Sequence, residues 1–170
     1  MRFVFVILVV GFLPEVVLSQ DLETVFLEDL TWTEVRDALS VGTTTVIIPT
    51  GGTEQNGPHM VLGKHNYLVQ YKAGEVARRL GNPLVAPVMA YVPEGDIDPP
   101  SGHMRFPGTI TTPPEVFEQV LEFAARSLKQ HGFLDVALLG DSGGNQSSQA
   151  AVTERLNEEW AALPVRVHHL

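Results

Sequence analysis

Residues 51–65 read GGTEQNGPHMVLGKH and gather a carboxylate, amides and two imidazoles in one glycine-rich stretch. Glu54 and His65 are the ligand types that Zn, Mn or Fe accept. His59 lies between them, and Asp141 follows an apolar run where a carboxylate would point into a cleft. One Glu, one His and one Asp from two loops leave coordination positions open, as a catalytic metal requires. Such a metal polarises a carbonyl and acidifies water. No HxH or HExxH spacing supports the assignment. The same residues also suit a polar turn, with Glu54 capping it and His65 at the start of a helix.

A second chemical stretch, DSGGNQ (141–146), has three readings. Ser142 between glycines resembles a nucleophile on a tight turn after a strand, but only His168 and His169 follow it as bases. Alternatively, the glycine amides bind an anion at the start of the next helix, or the segment is a plain tight connection. In SGHMRFPGT (101–109), His103 is a candidate acid–base or substrate contact beside Arg105. Asp96 and Asp98 read as turn residues, and His131 as a cation at a helix end. His168 and His169 alternate on a strand, so at most one faces a cleft.

The elements that must position these groups alternate. Helices are expected at 27–42, 66–81, 112–133 and 147–163, and strands at 43–49, 83–92, 135–140 and 165–170. The expected 112–133 helix carries Val116, Val120, Ala124 and Leu128 at four-residue spacing, and the 147–163 helix carries Val152, Leu156 and Trp160 on one stripe. Strands alternating with helices predict an α/β fold, a sandwich with a mainly parallel sheet. Right-handed crossovers bring loops 50–65, 93–109 and 140–146 together at the carboxyl ends of the strands, where ligands bind in such folds. The loop at 93–109, rich in Pro and Gly, is long enough to be functional in its own right.

With these blocks in view, the sequence resembles the creatininase (creatinine amidohydrolase) family. The resemblance rests on LTWTEVRDAL, TTTVIIPTGGTEQNGPHMVLGKH, LVAPVMAYV, HMRFPGTIT and HGFLDVALLGDSGGNQ, in that order, from about Leu27 to the end. It implies a three-layer α/β sandwich and metal-dependent hydrolysis of cyclic amides and similar C–N bonds with Zn, Mn or Fe. It also implies a homo-oligomer, often a hexamer. The chain departs from the family pattern at three ligand positions. Asn56 stands where the family has a ligand His, His65 stands for a bridging Asp, and Ser142 stands for a ligand His beside the new carboxylate Asp141. The implied site is remodelled and holds one divalent metal, Zn first, on Glu54, His65 and Asp141. Asn56, His59 and Asn145 are then candidate substrate contacts, His103 a proton shuttle, and the Gly143 and Gly144 amides oxyanion donors. The alternatives are a metal-free hydrolase using Ser142, and an exported binding protein that kept the fold without catalysis. Family members continue beyond the point matching Leu170, so the domain is expected to be incomplete at its C-terminus.

Composition narrows the partners. The 170 residues suit one domain. The net charge is -9 with no Lys/Arg cluster, which argues against a nucleic-acid partner, and a small-molecule substrate is what the resemblance implies. With no Cys, disulfides, thiolate metal sites and Cys nucleophiles are excluded. Arg2 followed by the apolar run FVFVILVVGFL (3–13) predicts a signal peptide over 1–19, a mature domain over 20–170 and a periplasmic or secreted location. The run is shorter than the roughly 20 residues of a membrane span, so no stable anchor is expected after cleavage. A short membrane anchor is the competing reading of the same segment.

Overall fold

The computed structural model describes residues 22–170, and the expected signal segment over 1–19 lies outside them. Four strands, β1 (Thr45–Thr50), β2 (Leu84–Val85), β3 (Asp135–Gly140) and β4 (Arg166–His169), form one sheet in the order β2-β1-β3-β4. Every pairing is parallel, with Val46 opposite Leu84 on one side and Val136 on the other. Helices α1 (Trp32–Ser40), α2 (Lys64–Leu80), α3 (Pro114–Gln130) and α4 (Gln146–Glu159) accompany it.

The strands are apolar on both faces because both faces are covered. Val46, Ile48, Val136 and Leu138 pack with Phe117, Leu121 and Ala125 of α3 and with Val152, Leu156 and Trp160 around α4. Ile47, Val85 and Ala137 face the other way, against Ala73 and Ala77 of α2. This is the α/β sandwich that the alternation predicted, with the three layers that the resemblance implied. Among the described residues no helix is long and apolar enough to cross a membrane.

Three local expectations shift. The helix expected at 27–42 breaks into a 3-10 turn at Leu27–Asp29 and α1, because Thr31 and Glu34 form a capping box that starts a new helix. The strand expected at 83–92 is only two residues long. Pro87 has no N–H to give the ladder, and the chain leaves β1 after Ala86 N donates to Ile47 O and Met89 N to Pro49 O. On α3 the buried stripe is Phe117, Leu121 and Ala125, one position along from Val116 and Val120, which are 42 % and 52 % exposed. Ala124 and Leu128 pack at its margin.

The departure of the chain after Val85 shapes the carboxyl edge of the sheet. Pro49 sits in a central strand, where proline is normally excluded. Its carbonyl accepts from Met89, and its missing N–H faces the same side, where no regular strand runs. The segment past Val85 is thereby free to wander above the sheet edge and deliver residues 92–95 to the end of β1.

Candidate metal centre

The three expected loops meet at the carboxyl edge of the sheet. Asn145, wholly buried, donates through Nδ2 to the Gly51 carbonyl at 2.9 Å and clamps the loop after β3 to the loop after β1. Asn66 Oδ1 accepts from Gly52 N at 2.9 Å, and Gln149 Nε2 donates to Thr50 Oγ1 at 2.7 Å. Glu94 arrives from the third loop, pinned where Glu94 N donates to Thr111 Oγ1 and Glu94 O accepts from His103 N. The approach is close enough that a Cβ on Gly52 would lie 2.5 Å from Glu94 Oε1, so a side chain at this position would displace the Glu94 carboxyl.

Glu54, His65 and Asp141 come together, in a line. His65 Nε2 lies 2.9 Å from Glu54 Oε1 and its Nδ1 lies 2.7 Å from Asp141 Oδ2. The imidazole thus separates the two carboxylates, and both of its nitrogens are engaged. Lys72 completes the line by pairing with Asp141 Oδ1. Burial alone would raise the Asp141 carboxyl, but the hydrogen bonds and charges of Lys72 and His65 outweigh it and hold the group below the usual range.

A compact set of ligand atoms lies on the other side of Glu54. Glu54, Glu94 and His103 each offer one within 4.8 Å of the others. His103 Nε2 is 3.5 Å from Glu54 Oε2, and His103 Nδ1 is 3.1 Å from the Gln55 carbonyl. In the tautomer that donates from Nδ1 to this carbonyl, Nε2 is left as a lone-pair donor toward the carboxylates, the arrangement usual for metal-binding histidines. Glu94 and Glu54 are both buried, and Glu94 Oε1 has no hydrogen-bond partner. Burial, followed by the hydrogen bond and charge of Glu54, pushes the Glu94 carboxyl up to about 9. Two adjoining buried carboxyls, one with an orphaned oxygen, and an imidazole turned toward them fit a divalent cation, which would satisfy all three at once. His103 is 40 % exposed through its side chain, so the set can be reached from solvent.

The remaining expected residues divide by position. Asn56 donates from Nδ2 to Glu54 O and accepts from Lys64 at 2.7 Å, which fixes the loop that carries Glu54. His59 is exposed on that loop. Ser142 leads into a 3-10 turn at Gly143–Asn145, whose first amides, those of Gly143 and Gly144, have no intrahelical acceptor. Gly144 lies beside Pro93 O, next to Glu94. Ser142 has no imidazole partner among the described residues. His168 pairs with Asp135 and His169 with Gln146, both at the exposed strand β4. Sequence reading passed over Glu94, Gln55 and Lys72. Glu94 stands between Pro93 and Gly95 in a stretch that also holds Asp96 and Asp98, so nothing in the sequence singles it out, and Lys72 lies two helical turns after His65 on one face.

The family model described as Creatininase, creatinine amidohydrolase, matches residues 28–169. The chain belongs to the creatininase family. Within the family it is 32 % identical over 112 residues to a mycofactocin precursor peptide peptidase of Mycolicibacterium smegmatis, covering 63 % of this chain and 43 % of that protein. It is 28 % identical over 117 residues to creatinine amidohydrolase of Pseudomonas putida, covering 69 % and 44 %. A crystal structure of creatinine amidohydrolase superposes with a TM-score of 0.75 at 25 % identity, covering 87 % of this chain and 57 % of that one. A creatininase structure described as the Mn form gives the same score, identity and coverage of this chain. The chain thus spans less than half the length of these curated relatives.

Proposed function

We propose that this chain carries the metal site of an exported amidohydrolase, cleaving a cyclic amide or another amide C–N bond of a small molecule. One divalent ion, Zn first with Mn or Fe as alternatives, is held by Glu54, Glu94 and His103. The observation that carries the reading is that Glu54, Glu94 and His103 each offer one ligand atom within 4.8 Å of the others, while a buried Glu94 oxygen has no hydrogen-bond partner. This assignment keeps Glu54 as a ligand. It moves His103 from proton shuttle to ligand, adds Glu94, and places His65 and Asp141 behind Glu54.

A bound divalent ion supplies Lewis acidity toward the amide carbonyl and toward water. The chain's own groups do the rest. Glu54 and Glu94 present an anionic wall, and His103 is oriented by the Gln55 carbonyl. The Gly143 and Gly144 amides, the latter beside Pro93, offer two donors for a developing oxyanion. Asn145 holds that turn to Gly51. The Ser142 route lacks a base within this geometry.

The test is metal content and metal titration of the purified chain and of Glu54→Ala, Glu94→Gln and His103→Ala. About one ion per chain in the wild type, with affinity lowered at least tenfold in each variant, supports the site. A wild type that takes up no Zn, Mn or Fe sinks it. Export is tested separately by N-terminal sequencing of the protein from the culture fluid or periplasm, with a start near Gln20 expected.

A further inference from the structure

The line of side chains behind Glu54 belongs to no ligand set. Its outermost member, Lys72, reaches it from two turns along α2. Asp141 is 6 % exposed through its side chain, whereas Lys72 is 56 % exposed. The pair therefore differs from an ordinary surface ion pair, which contributes little. One partner is a buried carboxylate whose second oxygen would be left without a cation if Lys72 were removed. Asp141 in turn holds one nitrogen of His65 at 2.7 Å, and the other nitrogen holds Glu54 Oε1 at 2.9 Å. Glu54 Oε2 is then the oxygen turned toward His103. His65 and Lys72 share one face of a single helix, so α2 fixes both ends of the Asp141 carboxylate as a rigid unit.

We propose that Lys72 is a positioning residue. It anchors Asp141, which orients His65, and His65 selects which oxygen of Glu54 faces the metal site. The inference deepens the proposed site and relies on it for affinity, though not for the geometry of the line itself. It adds a residue from outside the three loops and outside the candidate ligand set of Glu54, Glu94 and His103.

Two measurements on the whole chain test it, each on wild type, Lys72→Met and Lys72→Arg, with Lys129→Met as a surface control. The first is calorimetric titration with Zn2+. Lys72→Met should weaken binding about 10–100-fold, the usual effect of losing a partner behind a ligand, while Lys72→Arg restores most of the affinity. The second is the 15N spectrum of the His65 ring in metal-free protein. Its two nitrogen resonances should move in Lys72→Met and return in Lys72→Arg, with Lys129→Met unchanged in both measurements. Wild-type Zn2+ affinity in Lys72→Met, or an unmoved His65 spectrum, overturns the proposal. If the wild type binds no Zn2+, the proposed metal site fails, and the His65 spectrum alone decides whether Lys72 holds the line.

Discussion

Glu94 is where the chemistry is most exposed to test. Its carboxyl is raised from an ordinary value of 4.5 to about 9, so the metal-free fold binds a proton that the unfolded chain releases. The contribution is present in full below about pH 4.5 and is lost as pH rises through 9. Melting temperatures of chelator-treated protein should therefore fall from pH 5 to pH 9, and Glu94→Gln should flatten that slope while abolishing metal uptake. For the same reason, Zn2+ binding at pH 7.5 should release about one proton from Glu94, read as a buffer-dependent enthalpy in calorimetry. That Glu54, His65 and Asp141 come together was legible in the sequence, because the loops after β1 and β3 meet at the carboxyl edge of a parallel sheet. Glu94 was not. Its place depends on the path of the chain after Val85, which is set by a two-residue strand and Pro87, and a 40-residue separation from Glu54 carries no geometry of its own.

At the level of elements, hydrophobic pattern and caps specified most of the structure. The Val152, Leu156 and Trp160 stripe is buried as read, and Gly81 ends α2. On α3 two apolar stripes compete, Val116–Val120 and Phe117–Leu121, and periodicity alone cannot rank them. The sheet accepts the stripe that brings the larger Phe117 into the core, where it is 1 % exposed. Phe117→Ala should cost about 3–5 kcal/mol in urea unfolding, whereas Val116→Ala should cost well under 1 kcal/mol. Thr31→Ala removes the capping box that splits the first helix, in which Thr31 N donates to Glu34 Oε2 at 2.7 Å. It should cost about 1 kcal/mol by the same measurement.

For the molecule as a whole, the sheet order sets where stability lies. β1 and β3 are central and covered on both faces, while β2 and β4 are short and peripheral. In native-state hydrogen exchange the amides of Val46–Ile48 and Val136–Leu138 should open only with global unfolding, and those of Arg166–His169 at lower free energy. The same order has a consequence during synthesis. Val46 pairs with Val136, 90 residues later in the chain. At translation rates of 5–20 residues per second, β1 emerges about 5–18 s before the partner that closes its second edge. Throughout that interval TVIIPT presents an apolar, unpaired rim to whatever is nearby. The nascent chain is then most vulnerable to mispairing, before any residue after β3, Asp141 included, has left the ribosome.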